Sequence, residues 1–103
     1  MSILEEVLAE EYGRSLRMTR ALEKELSTLP KGYVRARTIR GRTYYYLQRR
    51  DGDRVRSDYV RREDAERVMA LVDRRREIAA ALKEQERTRR QIERALGRRP
   101  AHE

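Results

Sequence analysis

Five arginines, Arg35, Arg37, Arg42, Arg54 and Arg56, are threaded around a stretch that sets Tyr44, Tyr45 and Tyr46 side by side. Guanidinium groups neutralise phosphates, and tyrosine rings stack on bases or lie along sugar edges. The mixture is therefore the chemistry of nucleic-acid recognition. Catalysis finds no comparable set. Cysteine is absent, which excludes disulfides and thiolate metal sites. His102 is the only histidine and sits in the tail, so a serine or threonine nucleophile has no imidazole to activate it. Glu63 and Asp64 suit a helix N-terminus better than an acid–base pair. Gly41 and Gly52 are turn glycines, because neither belongs to a glycine-rich phosphate loop. The expectation is a non-enzymatic protein with no catalytic residues, no cofactor and no metal.

The charge distribution locates the binding chemistry. The 103 residues carry a formal net charge of +8, and 43% of them are charged. Residues 1–30 hold four basic and six acidic side chains, and residues 63–103 hold eleven and nine. Residues 31–62 hold eleven basic and only three acidic ones, so the surplus of the middle third equals that of the whole chain. A GC-rich coding bias would explain why only three of the 26 basic residues are lysine. It does not explain why acids are scarce only in the middle. A local footprint for a polyanion does.

The elements that must position these residues read as helix, meander, helix. Ser2 followed by Glu5 is a capping box, and Leu4, Val7, Leu8, Tyr12, Leu16, Leu22, Leu26 and Leu29 recur at roughly helical spacing, which predicts a helix over 2–28 ended by Pro30 and Gly32. Residues 33–60 are rich in β-branched and aromatic types and are divided at Arg40-Gly41 and Arg50-Asp51-Gly52, predicting strands over 33–39, 42–49 and 54–60. Over 62–96 a heptad seam returns: Val68, Leu71, Arg75, Ile78, Leu82, Gln85, Arg89, Ile92 and Leu96. The fold class is α+β, a single helix–meander–helix domain over 1–97, with the two helices pairing as an antiparallel coiled-coil-like hairpin and 98–103 as a flexible tail. If buried, the seam residues Arg75 and Arg89 need carboxylate partners, with Glu11 and Glu25 as candidates. Arg74-Arg75-Arg76 reads as a solvated helix surface, because consecutive helical residues point in different directions.

Side chains alternate along a strand, so the three tyrosines cannot share a face. A two-residue turn at Arg40-Gly41 sets Val34 opposite Leu47 and Arg37 opposite Tyr44. A three-residue loop Arg50-Asp51-Gly52 sets Leu47 opposite Val55, chosen because it matches apolar with apolar. One face then holds Val34, Ala36, Tyr45, Leu47, Val55 and Tyr59, and the other Tyr33, Arg35, Arg37, Arg42, Tyr44, Tyr46, Gln48, Arg54 and Arg56. On this reading the five arginines contact phosphates, Tyr44 and Tyr46 stack, and Tyr33 and Gln48 lie at the margin. Five phosphate contacts imply a slope of log affinity against log salt near about −4.5.

The partner expected is nucleic acid, DNA ahead of RNA. The alternative is a structural adaptor in which the long helix binds a protein or a second copy, since Ile92 and Leu96 outrun the first helix and would pair in a homodimer. No apolar run approaches the roughly 20 residues that cross a bilayer, and MSILEEVLAEEYG lacks the basic start of a signal peptide, so a cytoplasmic location without membrane association is expected.

The string LPKGYVRARTIRGRTYYYLQRRDGDRVRSDYV, Leu29 to Val60, resembles a family of small prokaryotic proteins of unknown function. Its pattern is Leu-Pro-Lys-Gly, a basic strand, Gly-Arg/Lys-x-Tyr-Tyr-Tyr-Leu-Gln, a glycine-containing turn and a basic strand ending in Tyr-Val/Ile, flanked by long charged helices. The resemblance implies the helix–meander–helix layout and brings no activity. More distantly, the meander followed by a helix is similar to the arm-type DNA-binding domains of tyrosine integrases, which read DNA through a three-stranded sheet. No integrase catalytic domain accompanies it here, and the helical flanks are longer.

Overall fold

A computed structural model describes residues 2–97; the expected tail 98–103, with Pro100 and His102, lies outside the described residues. The chain forms α1 (Ile3–Leu26), β1 (Tyr33–Ile39), β2 (Arg42–Asp51), β3 (Arg54–Val60), a 3-10 turn (Arg62–Asp64) and α2 (Ala65–Ala95), an α+β architecture of helix, three-stranded antiparallel sheet and long helix. Within the span 1–97 the contacts cluster in two compact units. Thr28–Glu77 forms one, and α1 with the chain from Ile78 onward forms the other.

α1 starts where the capping box places it. The Ser2 hydroxyl accepts from the Glu5 N–H at 3.1 Å, and the Glu5 carboxylate accepts from the Ser2 N–H at 2.9 Å. The backbone bond, and then the hydroxyl, hold the Glu5 carboxyl below the usual glutamate range. The helix stops at Leu26, two residues short of expectation. The Ser27 hydroxyl donates to the Lys24 carbonyl at 2.7 Å and closes the last turn before Pro30 is reached.

In the helical unit two polar seam residues, Gln85 and Arg89, join a hydrogen-bond network. Ser15, the buried residue of α1, donates to Gln85 Oε1 at 2.8 Å and accepts from Arg89 at 3.0 Å. Arg89 also donates to the Thr19 hydroxyl at 2.6 Å, and the Tyr12 hydroxyl donates to Glu93 at 2.8 Å. Arg89 thus uses two hydroxyls where carboxylates were expected, and Glu11 pairs with Arg14 of its own helix. Every seam position from Val68 to Leu96 is buried or half-buried, including Ile78 and Ile92. Ile92 is therefore covered within one chain and does not require a second copy. Among the described residues, the exposed large apolar side chains of this unit are Ile3, Leu4, Val7 and Met18 on α1.

In the sheet unit, β1 and β2 pair in the expected register, Val34 opposite Leu47 and Arg37 opposite Tyr44. Arg40 (φ 50°) and Gly41 (φ 79°) both take positive φ, as a type I′ hairpin requires. The second hairpin corrects the sequence reading. β2 runs on to Asp51, the turn is Gly52-Asp53, and Leu47 stands opposite Asp58, not Val55. Gly52 (φ 67°) alone takes positive φ in this turn, the type II′ arrangement that matches strand twist. The apolar Leu47–Val55 match is given up for a Tyr46–Tyr59 pair and two ion pairs, Arg49–Asp58 at 3.6 Å and Arg56–Asp51 at 3.1 Å. The shift is odd, so every side chain of β3 changes face.

Candidate nucleic-acid interface

The register sorts the sheet into two faces of different chemistry. One carries Val34, Ala36, Thr38, Thr43, Tyr45, Leu47, Arg49, Asp51, Arg54, Arg56, Asp58 and Val60. Val60 is buried, and Val34 lines a small cavity with Met69 and Val72 of α2. Asp51 and Asp58 are on this face, each paired with an arginine.

The other face holds Arg35, Arg37, Arg42 and Arg50, with Tyr33, Tyr44, Tyr46, Tyr59, Gln48, Ser57, Val55 and Ile39. It contains four arginines and no carboxylate. All four are exposed, and none has an ion-pair partner among the described residues. The exposed large apolar and aromatic residues of the sheet fall on this same face: Tyr33, Ile39, Val55 and Tyr59, the last 60% exposed. Pairing sets Arg35, Tyr46 and Tyr59 in one row across the three strands and Tyr33, Gln48 and Ser57 in the next, about 7 Å away. The Tyr46 and Tyr59 rings meet edge to face, centroids 6.0 Å apart. Beside them a shallow depression of about 400 Å³ is lined by Arg35, Arg37, Tyr46, Gln48 and Ser57.

The expected site therefore divides. Arg35, Arg37, Arg42, Tyr44 and Tyr46 come together on one face, and Arg54 and Arg56 lie on the opposite one. Sequence reasoning missed Arg50, Ser57 and Tyr59. The signal that finds them is the Gly-Asp dipeptide at 52–53, itself a two-residue hairpin signature. Tyr33 is engaged by its own chain: the Arg76 guanidinium lies 4.4 Å from its ring centroid and donates to the Gly32 carbonyl at 3.1 Å. Arg76 also pairs with Asp73, Arg74 with Glu77, and Arg75 donates to the Leu29 carbonyl at 2.9 Å. No group of three or more metal-ligating side chains, and no helix long and apolar enough to cross a membrane, occurs among the described residues.

Fold and site together define a class: an α+β helix–meander–helix chain with one cationic, tyrosine-bearing sheet face. A family model described as a domain of unknown function, DUF6788, matches residues 8–70, more than half of the chain, and the chain belongs to that family. No curated protein and no solved structure gives a match.

Proposed function

We propose that this chain is a non-enzymatic nucleic-acid-binding or accessory protein that binds through the cationic face of its sheet. Arg35, Arg37, Arg42 and Arg50 take phosphates, and Tyr44, Tyr46 and Tyr59 supply the rings. The observation that carries the reading is the segregation of charge. The sheet's two strand aspartates sit with arginines on one face and leave four unpaired arginines among tyrosines on the other. Arg–Tyr packing on a solvated sheet would account for the side-chain types. It does not account for the exclusion of carboxylates from one face only. α1 and the distal half of α2 serve as an antiparallel coiled-coil-like hairpin. Its support is the order of the bonds, Tyr12 to Glu93 and Thr19 to Arg89.

The test is a salt titration of binding to labelled oligonucleotides. Four phosphate contacts give a slope of log affinity on log salt of about −3.6 on duplex or about −2.8 on single strands. Affinity that does not depend on salt would refute the electrostatic site.

A second reading, self-association as an adaptor, is favoured by the exposed Ile3, Leu4 and Val7, of which Ile3 is 80% exposed. It moves the expected homodimer contact from the last turns of α2 to the first turns of α1. Light scattering decides it. A dimer reverting to monomer in Leu4→Glu/Val7→Glu supports it, and a monomeric wild type excludes it.

A further inference from the structure

Building on the nucleic-acid reading above, we infer that the sheet binds unpaired, single-stranded nucleic acid and seats one base in the depression beside Tyr46. The depression, at about 400 Å³, falls in the range of small-ligand sites, about 300–1,000 Å³. Its lining has the three parts a nucleotide needs. Tyr46 offers a ring to the base, and Arg35 and Arg37 offer guanidinium groups to the flanking phosphates. Gln48 and Ser57, opposite each other in the register, carry donors and acceptors suited to a base edge. Among the described residues neither side chain is hydrogen-bonded to another protein group, so both are available to a ligand.

The aromatic component decides between single strand and duplex. In a duplex the faces of the bases are stacked on one another, and only their edges are exposed in the grooves. Tyr46 lies on the central strand, with Arg35 of β1 on one side and Tyr59 of β3 on the other, and cannot insert between stacked pairs without opening them. A duplex would therefore use the arginines and leave the rings idle. A single strand offers phosphates and base faces together. The edge-to-face contact of Tyr46 with Tyr59, 68° between planes, also means that the two rings do not stack on each other.

The test uses the full chain and fluorescence anisotropy with three probes: a labelled single-stranded DNA, the same strand with abasic positions, and the duplex. The inference expects the intact single strand to bind more tightly than the duplex, and abasic substitution to weaken binding by about 5- to 150-fold. This comparison needs no variant. Tyr46→Leu, which keeps a residue the strand tolerates, is expected to weaken the intact strand by a similar factor while leaving abasic and duplex affinities in place. Tyr46→Phe retains the stacking ring and is expected to bind as wild type. A duplex bound as tightly as the single strand, or an abasic strand bound as tightly as the intact one, overturns the inference. Loss of salt-dependent binding to every probe in wild type would instead remove the parent reading. A duplex preference that Arg35→Glu/Arg37→Glu abolishes would remove only this one.

Discussion

Replacing Ser15 by alanine isolates the network at the centre of the helical unit. Ser15 is 4% exposed, and its hydroxyl is both the donor to Gln85 Oε1 and an acceptor for Arg89. Alanine leaves Arg89 with Thr19 and strips the Gln85 oxygen of a donor. A hydrogen bond to a charged group contributes about 1.5–3 kcal/mol, and a neutral one about 1. Alanine returns about 0.5 kcal/mol of helix propensity. The expected net loss is about 2 kcal/mol, a large part of the roughly 5–15 kcal/mol that holds a domain folded. Urea denaturation followed by circular dichroism measures it directly, and thermal denaturation reads it as a fall in Tm of about 10 °C. A double-mutant cycle with Arg89→Met is expected to give a coupling of about 1 kcal/mol, because the two side chains touch. Were Ser15→Ala as stable as wild type, helix propensity would have outweighed the network, and the assignment of Ser15 as its hub would be wrong.

Two further substitutions probe the frame. Gly32 has φ 121°, and a Cβ there would sit on the Gln48 carbonyl oxygen, so Gly32→Ala is expected to cost about 3 kcal/mol or more and to broaden the amide spectrum of β1 and β2. Alanine at the open, left-handed Gly97 serves as the control, with a loss of about 1 kcal/mol. Ser2 has φ −77°, which proline accepts, and Ser2→Pro removes both donors that lower the Glu5 pKa. An NMR titration should show the Glu5 carboxyl ionising below ordinary glutamate in wild type and closer to it in the variant. Because the folded pKa is depressed, the stabilisation of α1 by Glu5 is present above the unfolded pKa and is lost as pH falls through the folded one. A variant unfolding with the same acid dependence as wild type would contradict that.

The sequence carried the element order because local signals agreed: a capping box at Ser2 and Glu5, a positive-φ turn at Arg40-Gly41, and a seam from Val68 to Leu96 that is covered throughout. The register of β3 was not legible by apolar matching. The bonds that decide it are an aromatic pair and cross-strand ion pairs, which contribute as much as one Leu–Val contact and leave no hydrophobic pattern. That single register error moved Arg54 and Arg56 off the site and hid Arg50 and Tyr59. Ser15 and Thr19 were invisible for a related reason. A polar residue on a helix reads as solvated until an arginine on the facing segment is seen to need its hydroxyl.

The central claim is that one face of the sheet, and not the basic middle of the chain as a whole, binds nucleic acid. The most direct measurement is anisotropy of a labelled single-stranded DNA with two double variants, Arg35→Glu/Arg37→Glu on one face and Arg54→Glu/Arg56→Glu on the other. Both change the net charge equally, so any difference between them reports position. The account predicts a loss on the order of 100-fold for the first pair and a change of no more than about threefold for the second. Equal losses, or a larger loss from the second pair, would contradict it.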